Sequence, residues 1–421
     1  MFSRVKFLAA AFASAALFII CVSPSGCEKK QQDGRRVPSE GRPSPNAATA
    51  PAAETDAIDT EHLAVARKLI DGGVRYLLAH GDADGGWSMG GGANKPAITA
   101  MVLKALVQQP GLGADSPVVR RGFELLLGFQ QKDGGIYDPR VGLANYTTAV
   151  AVMAMAAAQN PQHNAAMRRA TAFLKGRQIV PGAESPDGDA IGPEHPFVGG
   201  VSYGKHGRPD LSNVGMWMQA LHDAGISGDD PAIQRALAFV ARSQNRSESN
   251  PSAWAARGAN DGGFVYAPAT PGKLAAGQSK AGAATGGRGL RSYGSMTYVG
   301  FKSLLYAGLD HKDPRVLAAF EWIRTYWRLD SNPNMPRLQS QQGLYYYYHA
   351  FAKALRAWGE PIITDRDGVE HNWRHELIKA LERRVRADGS WVNDAAPRWE
   401  ESNPNLVTCY AVLALQETLK K

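Results

Sequence analysis

The residues with the most chemical potential sit in a few short stretches. One, QQGLYYYYHAFAKALRAWG, runs from Gln341 to Gly359 and sets Tyr345, Tyr346, Tyr347 and Tyr348 in front of His349. A second, LVTCY, carries Cys409, and a third, SMTY, ends in Tyr298. A cysteine with a histidine suggests a nucleophilic thiol. That chemistry needs a base or a helix N-terminus to lower the thiol pKa, and Cys409 falls in the middle of a helix-forming stretch. In DLSNVG, Asp210 stands three residues before Asn213, and a carboxyl held in an apolar site can keep a proton for delivery. Asp187, Asp189, Glu194, His195, His206 and Asp210 are of metal-ligand type. Their spacing matches no tight metal motif, so neither a metal nor any other cofactor is expected.

The elements that must position these residues come from an internal repeat. It reads YLLAHGDADGGWSMG around Asp84, Gly85, Gly86 and Trp87, then LLLGFQQKDGGIYD around Asp133, Gly134, Gly135 and Tyr137. It returns as NDGGFVY at Asp261 and as RADGSWVND at Asp388, with worn copies at Gly199–Gly204 and Gln341–Tyr346. Each copy has an amphipathic helical pattern, a glycine turn with an aromatic, and then an alanine-rich, more apolar helix. The first helices are expected near 61–80, 115–131, 162–178, 230–244, 313–327 and 371–386. A helix with one apolar stripe lies outside, and one that is apolar nearly all round is buried. Six such pairs predict an all-α fold, an (α/α)6 toroid with six parallel inner helices ringed by six outer ones. The open solenoid is its structural rival. The Asp-Gly-Gly turns are assigned to stability: glycine admits φ > 0 and aspartate caps the following backbone.

The repeat resembles the "QW" repeat of squalene–hopene cyclases and the related repeats of protein prenyltransferase β subunits, the terpenoid cyclase/protein prenyltransferase toroids. The resemblance spans about residues 60–420. It implies the toroid fold and, in the active families, either protonation by an Asp-x-Asp-Asp-Thr-Ala segment or thiol activation by zinc held on Asp, Cys and His. Carried over residue by residue, neither equipment is present. ANYTTA (Ala144 to Ala149) has no acid, DLSNVG keeps only Asp210, and LVTCY has Val407 where the zinc histidine would stand.

Aligning the copies puts Lys104, Met153, Gln219, Lys302, Lys353 and Leu413 in one column. Four residues earlier the column holds Tyr298, His349 and Cys409, and eight earlier it holds Asn145, Tyr345 and Asn405. Helical geometry assigns Tyr347, Phe351, Ala354 and Trp358 to the outer helix, and Tyr345, His349, Ala352 and Arg356 to the lumen. Tyr298, Tyr345, Tyr348, His349, Cys409, Asn145, Asp210, Asn213 and Asn405 are therefore the candidate cavity-lining residues. Tyr298, His349 and Cys409 are read either as a polar lumenal cluster or as separately satisfied core residues. No catalytic residue is assigned. The long connections at about 179–210 and 245–292, the second with Lys273, Lys280, Arg288 and Arg291, are read either as solvated insertions or as a lid.

The 421-residue chain is 44% hydrophobic and 20% charged, enough for one large domain or two ordinary ones. Residues 1–26 read as a signal peptide: Arg4 and Lys6 precede an apolar run, and Gly26 before Cys27 resembles a lipobox. Cys27 is the acylated residue if the chain is a lipoprotein, the alternatives being a cleaved soluble export and a retained anchor; residues 27–58 are then a disordered tether and residues 59–421 the toroid. Of Cys21, Cys27 and Cys409, only the last is in the folded part, so no internal disulfide is expected. The formal charge is +8, or about +6 once Arg4 and Lys6 leave. No dense basic block is interleaved with aromatics, which argues against nucleic-acid binding.

These readings lead to an exported protein, lipid-anchored in the cell envelope on the periplasmic or extracytoplasmic side, whose cavity takes a hydrophobic isoprenoid or lipid ligand. The alternatives are a cyclase- or transferase-type enzyme with nonstandard residues, or a glycan-active (α/α)6 enzyme, which would need a carboxylate pair at the cavity mouth.

Overall fold

The computed structural model describes residues 58–184, 190–204, 207–284 and 289–420. The leader, the lipobox with Cys27 and the tether lie outside these, as do Asp187, Asp189, His206 and Arg288. The regular elements are almost all helices. Six helices carry a buried stripe and an exposed back: α1 (Thr60–Ala79), α3 (Pro117–Gly128), α5 (Asn164–Gly176), α7 (Pro231–Arg242), α10 (Pro314–Thr325) and α12 (Trp373–Glu382). Six more are buried nearly all round: α2 (Lys95–Leu106), α4 (Ala144–Ala158), α6 (Leu211–Asp223), α9 (Gly294–Tyr306), α11 (Leu344–Trp358) and α13 (Pro404–Thr418). A short α8 (Ala253–Ala256) sits in the second long connection. One element was not anticipated, a hairpin of β1 (Ile362–Thr364) and β2 (Glu370–Asn372) that pairs Ile363 with His371 ahead of α12.

The buried helices pack in a closed cycle: α2 on α4, α4 on α6, α6 on α9, α9 on α11, α11 on α13 and α13 back on α2. The amphipathic helices lie against this cycle, each on the buried helix that precedes it in the chain, with α1 completing the round on α13.

The repeated turns supply the joints. Gly85, Gly134, Gly262 and Gly389 all have positive φ. The preceding Asp84, Asp133, Asp261 and Asp388 each accept the backbone N–H two residues on. The next residue donates its N–H to a threonine of the following buried helix: Trp87 to Thr99, Ile136 to Thr148, Phe264 to Thr297 and Trp391 to Thr408, at 2.9 to 3.1 Å. Three glutamines that follow outer helices, Gln130, Gln178 and Gln244, stitch their turns to the next outer helix. Gln244, for example, donates to the carbonyls of Gly262 and Arg315.

A second joint recurs at the N-termini of the buried helices. Four of them, α4, α6, α9 and α11, are met by the loop that leads into the next buried helix. Asn145 N–H donates to the Tyr203 carbonyl, Leu211 to Tyr266, and Gly294 to Pro333. Tyr345 and Tyr346 both donate to Glu401 Oε1. Asn403 and Asn405 of the last copy donate to the carbonyls of Met89 and Ser88 in the first. The free N–H groups of a helix start need partners, and at α4, α6, α9 and α11 the neighbouring copy supplies some of them.

Candidate functional site

The same N-terminal ends enclose a cavity of about 290 Å³. Six tyrosines and a tryptophan wall it: Tyr146, Tyr203, Tyr266, Tyr293, Tyr346, Tyr410 and Trp399. Met89, Met296, Ile98, Leu143 and Leu406 add apolar surface, and Ser212, Ser295, Lys280, Glu400 and Glu401 the polar groups. Five of the six tyrosine hydroxyls have a hydroxyl partner. Tyr346 shares a hydrogen bond with Ser212 Oγ at 2.9 Å, Tyr146 with Tyr410, and Tyr203 with Tyr266. With their hydroxyls engaged, these residues present ring faces and edges to the space.

Two carboxyls flank the cavity. Asp210 is fully buried and caps α6, accepting Asn213 N–H at 3.0 Å and Asn213 Nδ2 at 2.9 Å. It also hydrogen-bonds Tyr266. Burial pushes its carboxyl above the ordinary value, against the pull of these donors. Glu401 is buried too. Besides the α11 backbone it accepts Asn393 Nδ2 at 2.6 Å, and burial lifts its carboxyl to about 7. Just before it, Trp399 and Glu400 both have positive φ, 59° and 63°. Two consecutive non-glycine residues in that region mark a strained segment, and it lays the Trp399 ring over Gly343 at the mouth.

The candidate residues distribute differently from expectation. Tyr298 turns into the α9–α11 seam, edge-on to Tyr347 and against Phe351. Tyr345 packs edge-on to Tyr348, and Tyr348 donates to the Leu329 carbonyl at 2.5 Å. None of these three lines the cavity. The lumenal line of α11 runs through Tyr346, His349 and Lys353, and at about 100° per residue Tyr345 falls roughly 70° off it. His349 does face inward, its ring 5.7 Å from that of Tyr410. Burial and then Lys353 hold its imidazole well below the usual value, so it is neutral at pH 7. Cys409 is fully buried in α13, and burial drives its thiol upward. No hydrogen bond or ring contact joins any two of Tyr298, His349 and Cys409, so the expected cluster is not assembled. Asn145, Asn213 and Asn405 sit in the first turns of α4, α6 and α13, each buried or half-buried with a side-chain oxygen that has no partner among the described residues.

Both long connections contribute wall: Tyr203 comes from the first, Tyr266 and Lys280 from the second. Lys280 Nζ lies 4.2 Å from the centre of the Tyr266 ring. Sequence reasoning missed Tyr146, Tyr346, Tyr410, Trp399 and Glu401. For the three tyrosines the signal was position one residue further along each helix, and for Trp399 and Glu401 their place just ahead of the last buried helix.

Among the described residues, the one group of metal-ligand type is Asp59, His62 and His375, between α1 and α12 and remote from the cavity. The two imidazoles stack parallel at 3.9 Å. Parallel rings aim their in-plane lone pairs past one another, which suits a carboxylate-held pair better than a shared ion.

No family model and no curated protein matches the chain. Solved structures do. A variant of the type II terpene cyclase MstE from Scytonema, in complex with its substrate geranylgeranyl dihydroxybenzoate, is 13% identical over 86% of this chain and 98% of that one, with a TM-score of 0.50. A protein from Actinoplanes is 17% identical over 84% and 99%, with a TM-score of 0.48. A glycosidase in complex with glucose is 12% identical over 86% and 99%, with a TM-score of 0.44. The first of these establishes the fold: this chain is built as a terpenoid-cyclase-like toroid.

Proposed function

We propose that this is a complete (α/α)6 toroid whose aromatic cavity binds a hydrophobic ligand of isoprenoid type, held at the cell envelope through Cys27. The observation that carries the reading is the wall of seven aromatic rings, four of whose six tyrosine hydroxyls are turned to one another in pairs. Such a wall offers apolar area and π faces with few free donors, which suits an alkene chain and ill suits a sugar. Glu401 at the wall agrees: it is committed on both oxygens to backbone and Asn393, so it is not free to serve in the carboxylate pair that glycan chemistry uses. The terpene cyclase of similar fold is described with a geranylgeranyl-bearing substrate. The volume, about 290 Å³, lies at the small end of the ~300–1,000 Å³ typical of ligand clefts. It favours a short isoprenoid, or the end of a longer one whose remainder leaves past Trp399.

Equilibrium dialysis of the full chain against geraniol, farnesol and geranylgeraniol tests this. Saturable binding that weakens at least tenfold in Tyr346→Ala is expected. Absence of saturable binding to all three would refute the reading.

A second reading, catalysis of the protonation-initiated type, is favoured by Asp210. Its buried carboxyl, pushed toward the protonated form, connects through Tyr266 to Tyr203 at the cavity wall. A proton passed along this chain to an alkene would form a C–H bond and leave a carbocation among the aromatic faces. Loss of a neighbouring proton would return it to the chain. Chromatography of isoprenoids recovered after incubation separates the two readings: isomerised product abolished by Asp210→Asn supports catalysis, and unchanged ligand supports binding alone.

A further inference from the structure

The opposite end of the lumen is chemically unlike the cavity. Three lysines enter it from three buried helices: Lys104 of α2, Lys302 of α9 and Lys353 of α11. Each is at most 6% exposed. Two carboxylates answer them: Lys104 Nζ lies 3.0 Å from Asp223 and Lys353 Nζ 2.7 Å from Glu417. Lys302 has no carboxylate. Its ammonium donates to Gln219 Oε1 at 2.9 Å and lies 5.6 Å from the Tyr306 ring centre. Gln219 in turn donates to Asp223 at 2.7 Å, so the amide relays rather than neutralises. Three buried cations against two buried anions leave one positive charge uncompensated, a costly arrangement.

This pole is not sealed. A funnel of about 1,020 Å³ opens onto it, and Arg67 and Arg75 of α1 line its wall together with Lys104, Lys353 and Lys420. Only Asp71 and Asp223 oppose them on that wall. Among the described residues, neither Arg67 nor Arg75 has a hydrogen bond or an ion pair. Positive charge thus runs from the rim to Lys104 and Lys353 on the funnel wall, and Lys302 stands behind them, held on Gln219.

We propose that this pole is an anion-binding site, which takes a small carboxylate or a tetrahedral oxyanion such as phosphate against Lys104 and Lys353, with the unbalanced Lys302 charge behind them and Arg67 and Arg75 guiding entry. The site is independent of the aromatic cavity and of any ligand bound there. The amines are prepared for it. Burial, reinforced by the neighbouring lysines, holds Lys302 down to about 7 and Lys104 down to about 8. An incoming anion restores the charged form, so binding takes up protons above pH 7. The other titratable or charged groups facing Lys302 are Asp223 and His222 from α6, Tyr306 from α9 itself, Lys353 and His349 from α11, and Glu417 with Lys420 near the end of α13. The buried face of α4 there carries Met153 and no titratable group.

The test is calorimetric titration of the full chain at pH 8 and constant ionic strength, with sulfate (a non-titrating stand-in for phosphate) and separately with acetate, in two buffers of different ionisation heat. Saturable binding of at least one anion is expected, with a buffer-dependent heat that reports proton uptake. In Lys302→Met the affinity should fall at least tenfold and the proton uptake should shrink. Lys104→Met serves as the second variant should the first not fold, judged by circular dichroism. The stronger of the two anions identifies the chemical class. Heats that follow ionic strength alone for both, or binding unchanged in folded Lys302→Met or Lys104→Met, would overturn the proposal.

Discussion

Glu401 offers the sharpest quantitative expectation. Its side chain stands at the cavity wall and holds the first N–H groups of α11, the helix that carries Tyr346 inward. In the unfolded chain a glutamate ionises near 4.5, whereas burial in the fold lifts Glu401 to about 7. Between those values the folded state holds the proton more tightly than the unfolded state does. Stability from this group is therefore fully present below about 4.5 and is lost as the pH rises toward 7. The gap corresponds to about 3 kcal/mol. Glu401→Gln keeps the shape and an acceptor for the α11 N–H groups but cannot ionise. The difference in unfolding free energy, variant minus wild type, should thus grow in the variant's favour by about 3 kcal/mol between pH 4.5 and pH 8, while the other titrations cancel in the comparison. Urea unfolding followed by helical circular dichroism at pH 4.5, 6 and 8 measures it. Parallel pH profiles for the two proteins, or a variant that loses ground as pH rises, would refute the assignment of a lifted carboxyl to this position.

Other expectations follow from the same geometry. A Cβ at Gly262 would lie 2.3 Å from the Ala318 carbonyl oxygen at a φ of +77°, so Gly262→Ala should cost about 3 kcal/mol or more, read as a lowered thermal midpoint. Thr297→Val leaves the buried N–H of Phe264 without its acceptor at 3.1 Å and should cost about 1–3 kcal/mol by the same measurement. Cys409 is fully buried with its thiol held protonated. It should resist thiol reagents in the folded protein, and Cys409→Ser should leave ligand binding within about twofold; a tenfold loss would return the thiol to consideration as a functional group.

The repeat made the helices legible because its two patterns differ in burial. A stripe of the type Ile233, Ala236, Leu237 and Val240 and an unbroken buried run such as Thr147 to Met155 are distinct on the page. The turn grammar was legible too, since Asp and Gly have few other reasons to recur together. The side-chain directions were less so. Choosing the lumenal line from one residue per helix leaves an error of a residue, and one residue rotates a side chain by about 100°. Tyr345 was therefore expected where Tyr346 stands. The Glu401 cap was hidden for another reason. It joins segments that are far apart in the chain, and its counterparts differ in identity from copy to copy, as where Glu401 does for α11 what the Tyr266 carbonyl does for α6. The unbalanced lysines were visible as a column, but their meaning depended on Asp223 and Glu417, which lie outside that column.

The measurement that bears most directly on the central claim is photolabelling of the full chain with a diazirine-bearing geraniol, followed by peptide mapping. The account predicts saturable labels on cavity residues, chiefly Tyr146, Tyr346, Trp399 and Tyr410, that disappear when unlabelled geraniol is in excess. Labels confined to the outer helices, or labelling that excess geraniol does not displace, would contradict it.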